Sequence, residues 1–163
     1  MDFLIFRHGE TFFSKTDTPY GDKVETAEIL EEGKPVISRL ANYINNISTD
    51  ANFASPYFRC KQTVEIVSQI TNKDFTFDEK IGEFRGDMGE TMDQFFGRLS
   101  NFLEEVKNKN LKSVAICTHG YGISALRQLI LKGSPDLDDI NNYPRTGILV
   151  TISGKSLEYK DFN

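Results

Sequence analysis

His8 and His119 are the only two histidines in the chain. Each directly follows a short apolar run and directly precedes a glycine, in Phe3-Leu4-Ile5-Phe6-Arg7-His8-Gly9 and Val114-Ala115-Ile116-Cys117-Thr118-His119-Gly120. An isolated histidine is usually a surface or core residue. Two of two at matching strand ends point to a shared site. Arg7 beside His8 indicates an anionic ligand, because a guanidinium forks onto phosphate or carboxylate and stays charged at any working pH. Arg59 stands in the first turn of a helix opened by Ser55-Pro56 and can add a second fork. The amides after Gly120 begin a further helix, whose N-terminus attracts anions. A metal site is the rival reading, with Glu10 or Glu83 joining the imidazoles. Zinc commonly needs three or four ligands at workable spacings. The chain has no HExxH or CxxC, and its arginines would repel a cation. The expectation is an anion site with no metal and no cofactor.

The bulk composition agrees with a concentrated site. The chain has 163 residues, 39% hydrophobic and 26% charged, with 19 Lys plus Arg against 24 Asp plus Glu. One core is affordable at this length and two are cramped, so residues 1–163 are expected to form a single domain. A net charge of −5 lacks the broad basic face of a nucleic-acid binder. No apolar run approaches the roughly 20 residues of a membrane span. The opening run is too short for a signal segment and carries Asp2 where a basic region belongs. Cys60 and Cys117 are the only cysteines, so no disulfide framework is implied and a cytoplasmic enzyme is the expectation.

The elements that must hold these residues alternate between strand and helix. Phe3–Phe6 and Val114–Cys117 read as buried strands, with shorter ones at Phe53–Ser55 and Phe75–Phe77. Apolar residues recur at helical spacing from about Glu31 to Ile47, through Val64, Val67 and Ile70, and from Phe95 to Val106. Ser55-Pro56 has the form of a helix start, with Ser as cap and Pro at the first helical position. Thr91 and Gln94 form a capping box. A helix after His119 is stopped by Gly133 and Pro135. Residues 147–152 and 157–159 form a closing hairpin around Ser153-Gly154. This order predicts an α/β fold, a three-layer α/β/α sandwich with a mostly parallel central sheet. In such sheets ligands bind beyond the carboxyl ends of the strands, where Arg7-His8, Ser55–Arg59 and His119 all fall.

The sequence also resembles the histidine phosphatase, or phosphoglycerate mutase-like, superfamily. Arg7-His8-Gly9-Glu10-Thr11 is similar to its signature. Ile29–Gly33 is similar to its Leu-Thr-x-x-Gly, and Ser55-Pro56-Tyr57-Phe58-Arg59-Cys60-Lys61-Gln62-Thr63 to its Ser-Pro-x-x-Arg-Ala-x-Gln-Thr. Ile81-Gly82-Glu83, then Gly89-Glu90-Thr91 with Arg98, then Thr118-His119-Gly120 follow in the family's order. The resemblance spans residues 2 to about 132. It implies that His8 is a nucleophile forming a phosphohistidine, and that Arg7, Arg59 and His119 bind the phosphoryl oxygens. Gly120, at the helix start, and Ser14, a weaker donor where the family often has Asn, are expected to complete the phosphate site. It implies that Glu83 protonates the leaving oxygen and then activates water; Glu79, Asp87 and Glu90 are neighbouring carboxylates that compete for this role.

Departures from the family pattern bear on the reaction. Ser14 stands where many members have Asn, the chain has no Trp, and the stretch from Glu83 to Gly89 is short, which leaves little material for a cap. A mutase must exclude water; a site with a reduced cap is expected to hydrolyse. The expected activity is therefore metal-independent hydrolysis of phosphate monoesters, with a phosphorylated small molecule or phosphoprotein as partner. Three alternatives stand beside it: a protein-phosphohistidine phosphatase, a phosphoglycerate mutase-type phosphotransferase, and a non-catalytic phospho-ligand binding protein. Glu83 tilts the choice towards monoesters, because a histidine leaving group needs less proton help. Segments 12–23 and 140–146 are expected to form the outer wall of the pocket.

Overall fold

The computed structural model describes residues 1–163. A six-stranded sheet runs through its centre: β1 (Asp2–Arg7), β2 (Ala51–Ala54), β3 (Thr76–Phe77), β4 (Ser113–Thr118), β5 (Ile148–Ser153) and β6 (Ser156–Asp161). The spatial order is β3-β2-β4-β1-β5-β6. Pairs β3-β2, β2-β4 and β4-β1 are parallel, whereas β5 joins β1 antiparallel and β6 closes the hairpin. The helices are α1 (Phe12–Thr16), α2 (Lys34–Ile44), α3 (Phe58–Thr71), α4 (Met92–Lys107) and α5 (Gly120–Leu131). None is long and apolar enough to cross a membrane.

Successive β1 side chains feed opposite cores, as the two-residue strand period requires. Phe3 and Ile5 join α4 and α5 on one face, with Phe95, Leu99, Phe102, Ile123 and Leu126. Leu4 and Phe6 join α2 and α3 on the other, with Ile37, Leu40, Ile44, Val64 and Val67. Both faces are covered, which explains why β1 and β4 read as unbroken apolar runs rather than as alternation. The expected α/β/α sandwich is therefore present.

The Thr91–Gln94 capping box is formed, with Gln94 N donating to Thr91 Oγ1 at 3.2 Å and Thr91 N to Gln94 Oε1 at 2.9 Å. Two expected boundaries are corrected. The helix expected from Glu31 to Ile47 is a 3₁₀ turn at Glu31–Gly33 followed by α2, with Pro35 in its first turn where a missing amide costs nothing. Ser55 does not cap α3: Tyr57 is the N-cap, without a side-chain cap bond, and the helix begins at Phe58. The Phe58 amide is instead taken by the Glu25 carbonyl at 2.9 Å, which leaves the Ser55 hydroxyl for a buried imidazole.

Phe102 is buried and meets Phe53 edge-on, with ring centroids 5.3 Å apart. Phe102→Ala is expected to destabilise the fold by about 3–5 kcal/mol, read as a lowered midpoint in urea unfolding monitored by circular dichroism.

Candidate active site

The site is assembled by strand register. Arg7 on β1 faces Thr118 on β4, and Ala54 on β2 faces Cys117, so these three strands end level with one another. The His8 amide donates to the Thr118 carbonyl and the Ser55 amide to the Cys117 carbonyl, each at 3.0 Å. His8 and His119 therefore emerge side by side, with ring centroids 5.3 Å apart. Gly9 lets the chain turn away against α2, since a Cβ there would lie 2.5 Å from Ile37 Cδ1. Its amide is held by Thr63 Oγ1 at 2.8 Å.

His8, Arg59 and His119 are fully buried. His8 Nδ1 lies 2.8 Å from the Gly9 carbonyl oxygen, which can only accept, so Nδ1 carries the proton. His8 Nε2 has no hydrogen-bond partner, and neither have Arg7 Nε and Arg59 Nε. These are the only buried side-chain nitrogens or oxygens in the chain left unpaired, and they belong to the three groups that the sequence assigned to anion chemistry. Burial holds the His8 pKa well below the ordinary imidazole value, and Arg59 and Arg7 push it the same way. A neutral imidazole with a free Nε2 lone pair results, which is the form a nucleophile requires.

His119 has the opposite tautomer. Arg59 Nη2 donates to its Nδ1 at 2.9 Å, and its Nε2 lies 2.7 Å from Ser55 Oγ, which accepts its proton. Burial first, then Arg59, His8 and Arg7, keep this ring neutral too. Arg59 also donates through Nη1 to the Val24 carbonyl and lies under Tyr20, 4.2 Å from the ring centroid. Glu83 Oε2 stands 3.7 Å from both Arg59 Nη2 and His119 Nδ1. Burial raises its pKa against the opposing pull of Arg59 and Arg7, so the carboxyl can hold a proton above the usual range.

A cavity of about 470 Å³ opens beside these groups. Arg7, Glu83, Ser14 and Gly120 line it, and its outer walls come from residues between 13 and 24, from Phe84 to Asp87, and from Tyr121 and Tyr143. The two segments expected to form the wall contribute. His8, Arg59 and His119 lie just outside the lining, joined to the cavity through Glu83 and Tyr20. Ser14 is at the cavity, but its hydroxyl is bound into the α1 cap, accepting from the Thr11 amide at 2.9 Å. Gly120 is needed because a Cβ would meet the Tyr143 ring at 2.7 Å. No three His, Cys, Asp or Glu side chains gather into a metal-ligand cluster.

One contribution escaped the sequence reading, and one residue was named there without its role. Ser55 fixes the His119 tautomer, a role hidden behind its cap-like position. Arg98 on α4 binds the carbonyls of Lys80, Gly82 and Glu83 at 2.7, 3.0 and 2.9 Å, and grips Glu90 through Nε at 2.6 Å. It sets the loop that carries Glu83. Arg98 stood out only through the family pattern, since an arginine on a helix has no local signal for reaching back to an earlier loop. Of the competing carboxylates, Glu90 is occupied by Arg98 and Asp87 by Arg85, whereas Glu83 alone faces the imidazole and guanidinium.

The sequence profile of the histidine phosphatase superfamily (branch 1) matches residues 3–88 and 77–157. The chain belongs to this superfamily. Its fold is shared with a putative alpha-ribazole-5'-P phosphatase from Escherichia coli K-12 (TM-score 0.78, 16% identity, covering 100% of this chain and 96% of the other). It is shared also with the protein histidine phosphatase SixA complexed with tungstate (0.66, 17%, 98% and 94%), and with a phosphoglycerate mutase from Bacillus anthracis (0.71, 13%, 99% and 93%). No match is found among curated proteins.

Both histidines are held neutral by folding, so the unfolded chain binds more protons just below its ordinary titration range. Their contribution to stability is complete above about pH 6.5 and is lost as pH falls below it; the raised Glu83 acts with the opposite sign. Because the chain has two histidines, a proton NMR titration reads each directly. Both C2 protons are expected to stay at neutral-form shifts through about pH 6.5, and a normal midpoint for either ring would contradict the geometry.

Proposed function

We propose that the protein is a metal-independent phosphatase that hydrolyses phosphate monoesters through a phosphohistidine on His8. The observation that carries this reading is the unpartnered Nε2 of His8, with Nδ1 tied to the Gly9 carbonyl and unpaired Arg7 and Arg59 nitrogens in the same buried cluster. Since His8 is fully buried, entry of a phosphoryl group displaces the wall segment that carries Tyr20 from above Arg59.

In the first step His8 Nε2 forms a bond to phosphorus while the ester P–O bond breaks. Glu83 gives its proton to the departing oxygen. Arg7 and Arg59 hold the equatorial oxygens as charge redistributes, the positioning and electrostatic work that dominates phosphoryl transfer. His119 lies on the same cluster and, through its Nδ1, orients the Arg59 guanidinium for that role. In the second step water attacks phosphorus, Glu83 takes its proton, the P–N bond breaks, and inorganic phosphate leaves with His8 neutral again. Guanidiniums supply the positive charge, so no metal enters either step.

Hydrolysis is favoured over transfer to a sugar acid because the segment after Glu83 is a single 3₁₀ turn, Gly86–Met88, followed directly by α4. That stretch can add little to a cap, so the cover over His8 rests on the segment that carries Tyr20, which moves to admit the substrate. A carboxyl with a raised pKa favours oxygen esters over phosphohistidine, whose leaving imidazole needs less help. The cellular setting we infer is the cytoplasm.

With a chelator present, the wild-type protein is expected to release phosphate from p-nitrophenyl phosphate, and His8→Ala to release none. Activity that survives this substitution removes the nucleophile assignment. A phosphoglycerate that yields an isomer and little free phosphate would establish the mutase instead. Arg59→Ala is expected to lower kcat about 10²–10³-fold. Glu83→Gln is expected to slow alkyl esters by about 10²–10⁴ and nitrophenyl phosphate far less, because that oxygen leaves without a proton. The comparison is made in kcat/KM, which reads the first step alone, and equal slowing of both there would assign the acid to another group. Wild-type kcat/KM for alkyl esters should fall as pH rises through the elevated Glu83 pKa, and the Gln variant should lose that limb.

A further inference from the structure

The cavity beside the phosphate site is aromatic where it would meet the rest of a substrate. Phe13 and Tyr20 lie together with ring centroids 4.8 Å apart, inclined by 33°. Tyr121 touches Phe84 at 6.0 Å and Tyr143 at 5.6 Å, the latter edge-on at 80°. Tyr143 lies against Gly120, with its ring centroid 5.3 Å from the Arg7 guanidinium carbon, so this aromatic group reaches the phosphate site itself. Tyr20 does the same through Arg59, at 4.2 Å.

The lining offers no free positive charge beyond the phosphate site. Arg7 is its only basic residue, and it belongs to the phosphate site. Asp17, Asp87 and Glu83 are its acids; Glu83 belongs to the proton-transfer site and Asp87 is paired with Arg85, which leaves Asp17. Cations on the flanking segments are paired: Arg85 holds Asp87 at 3.0 Å and Glu25 at 2.8 Å, Lys15 holds Glu32 at 2.9 Å, and Lys23 lies 3.9 Å from Asp22. A ligand with a carboxylate or second phosphate beyond its ester would find no partner for that charge and would meet Asp17. A flat, uncharged ring would gain stacking and edge contacts from the tyrosines and phenylalanines. A cavity of about 470 Å³ has room for one or two fused rings with a short polar linker.

We infer that the substrate is a phosphate monoester of an uncharged alcohol bearing an aromatic ring, of nucleoside-like or arylalkyl type, and that esters with a second anionic group are rejected. This inference rests on the phosphatase reading above and specifies the leaving group of that reaction.

The test compares kcat/KM for benzyl phosphate, glycerol 3-phosphate and 3-phosphoglycerate. All three are alkyl esters, so differences in proton demand at the leaving oxygen are small. Benzyl phosphate is expected to exceed 3-phosphoglycerate by at least about tenfold, with glycerol 3-phosphate between them. Tyr121→Leu should lower the benzyl-to-glycerol ratio several-fold, and Asp17→Asn should raise the phosphoglycerate-to-glycerol ratio. His8-dependent release at similar efficiency from all three esters, or best from 3-phosphoglycerate, overturns this inference and leaves the phosphatase reading intact. A benzyl-to-glycerol ratio unchanged in Tyr121→Leu also overturns it. Absence of release from every ester, p-nitrophenyl phosphate included, overturns the phosphatase reading and the inference with it.

Discussion

The parallel pairing of β1 with β4 is the contact on which the site depends. Strand pairing has a period of two, so a slip of one residue would turn every side chain to the opposite face. With both faces covered by helices, such a slip would exchange Phe3 and Ile5 for Leu4 and Phe6 in two differently shaped cores. The cores therefore fix the register. The register in turn leaves His8 and His119 as neighbours at the strand ends, and β2 delivers Ser55 and Arg59 to the same level.

Crowding two guanidiniums and two imidazoles into a buried cluster is electrostatically demanding, and the protein meets the demand by keeping both rings neutral. The rings are not equivalent. A backbone carbonyl holds the proton of His8 on Nδ1, whereas Arg59 and Ser55 hold that of His119 on Nε2. One ring keeps a free lone pair; the other has its lone pair occupied by a guanidinium. Glu83 completes the balance from above, close enough to feel both cations yet buried enough to keep a raised pKa.

Much of this was legible in the residues. The unbroken apolar runs gave the inner strands because parallel strands buried on both faces need no polar alternation. The Thr91–Gln94 pattern marked the start of α4 because both capping partners are local in sequence. What stayed hidden depends on distant partners. Ser55 looked like a cap, but the Glu25 carbonyl satisfies the helix amide instead and frees the hydroxyl for His119. The role of Arg98 depends on a loop folding back across α4. Ser14 resembled a phosphate donor by position, yet its hydroxyl is engaged at the head of α1. The aromatic lining joins residues from four separate segments, which no local periodicity can announce.

Val24 and Glu25 lie where the outer wall meets the buried cluster. The Val24 carbonyl grips Arg59, the Glu25 carbonyl seats the first amide of α3, and the Glu25 carboxylate takes Arg85 from the opposite wall. The stretch from Phe13 to Lys23 is consequently a cassette, bounded by the α1 cap at one end and by this anchor at the other. Surface connections of this sort tolerate exchange and changes of length far better than the framework beneath them. Diversification of the ligand, by evolution or by grafting, can proceed inside the cassette without disturbing the anion bed, provided that the two-residue anchor and the Tyr20 ring over Arg59 are retained.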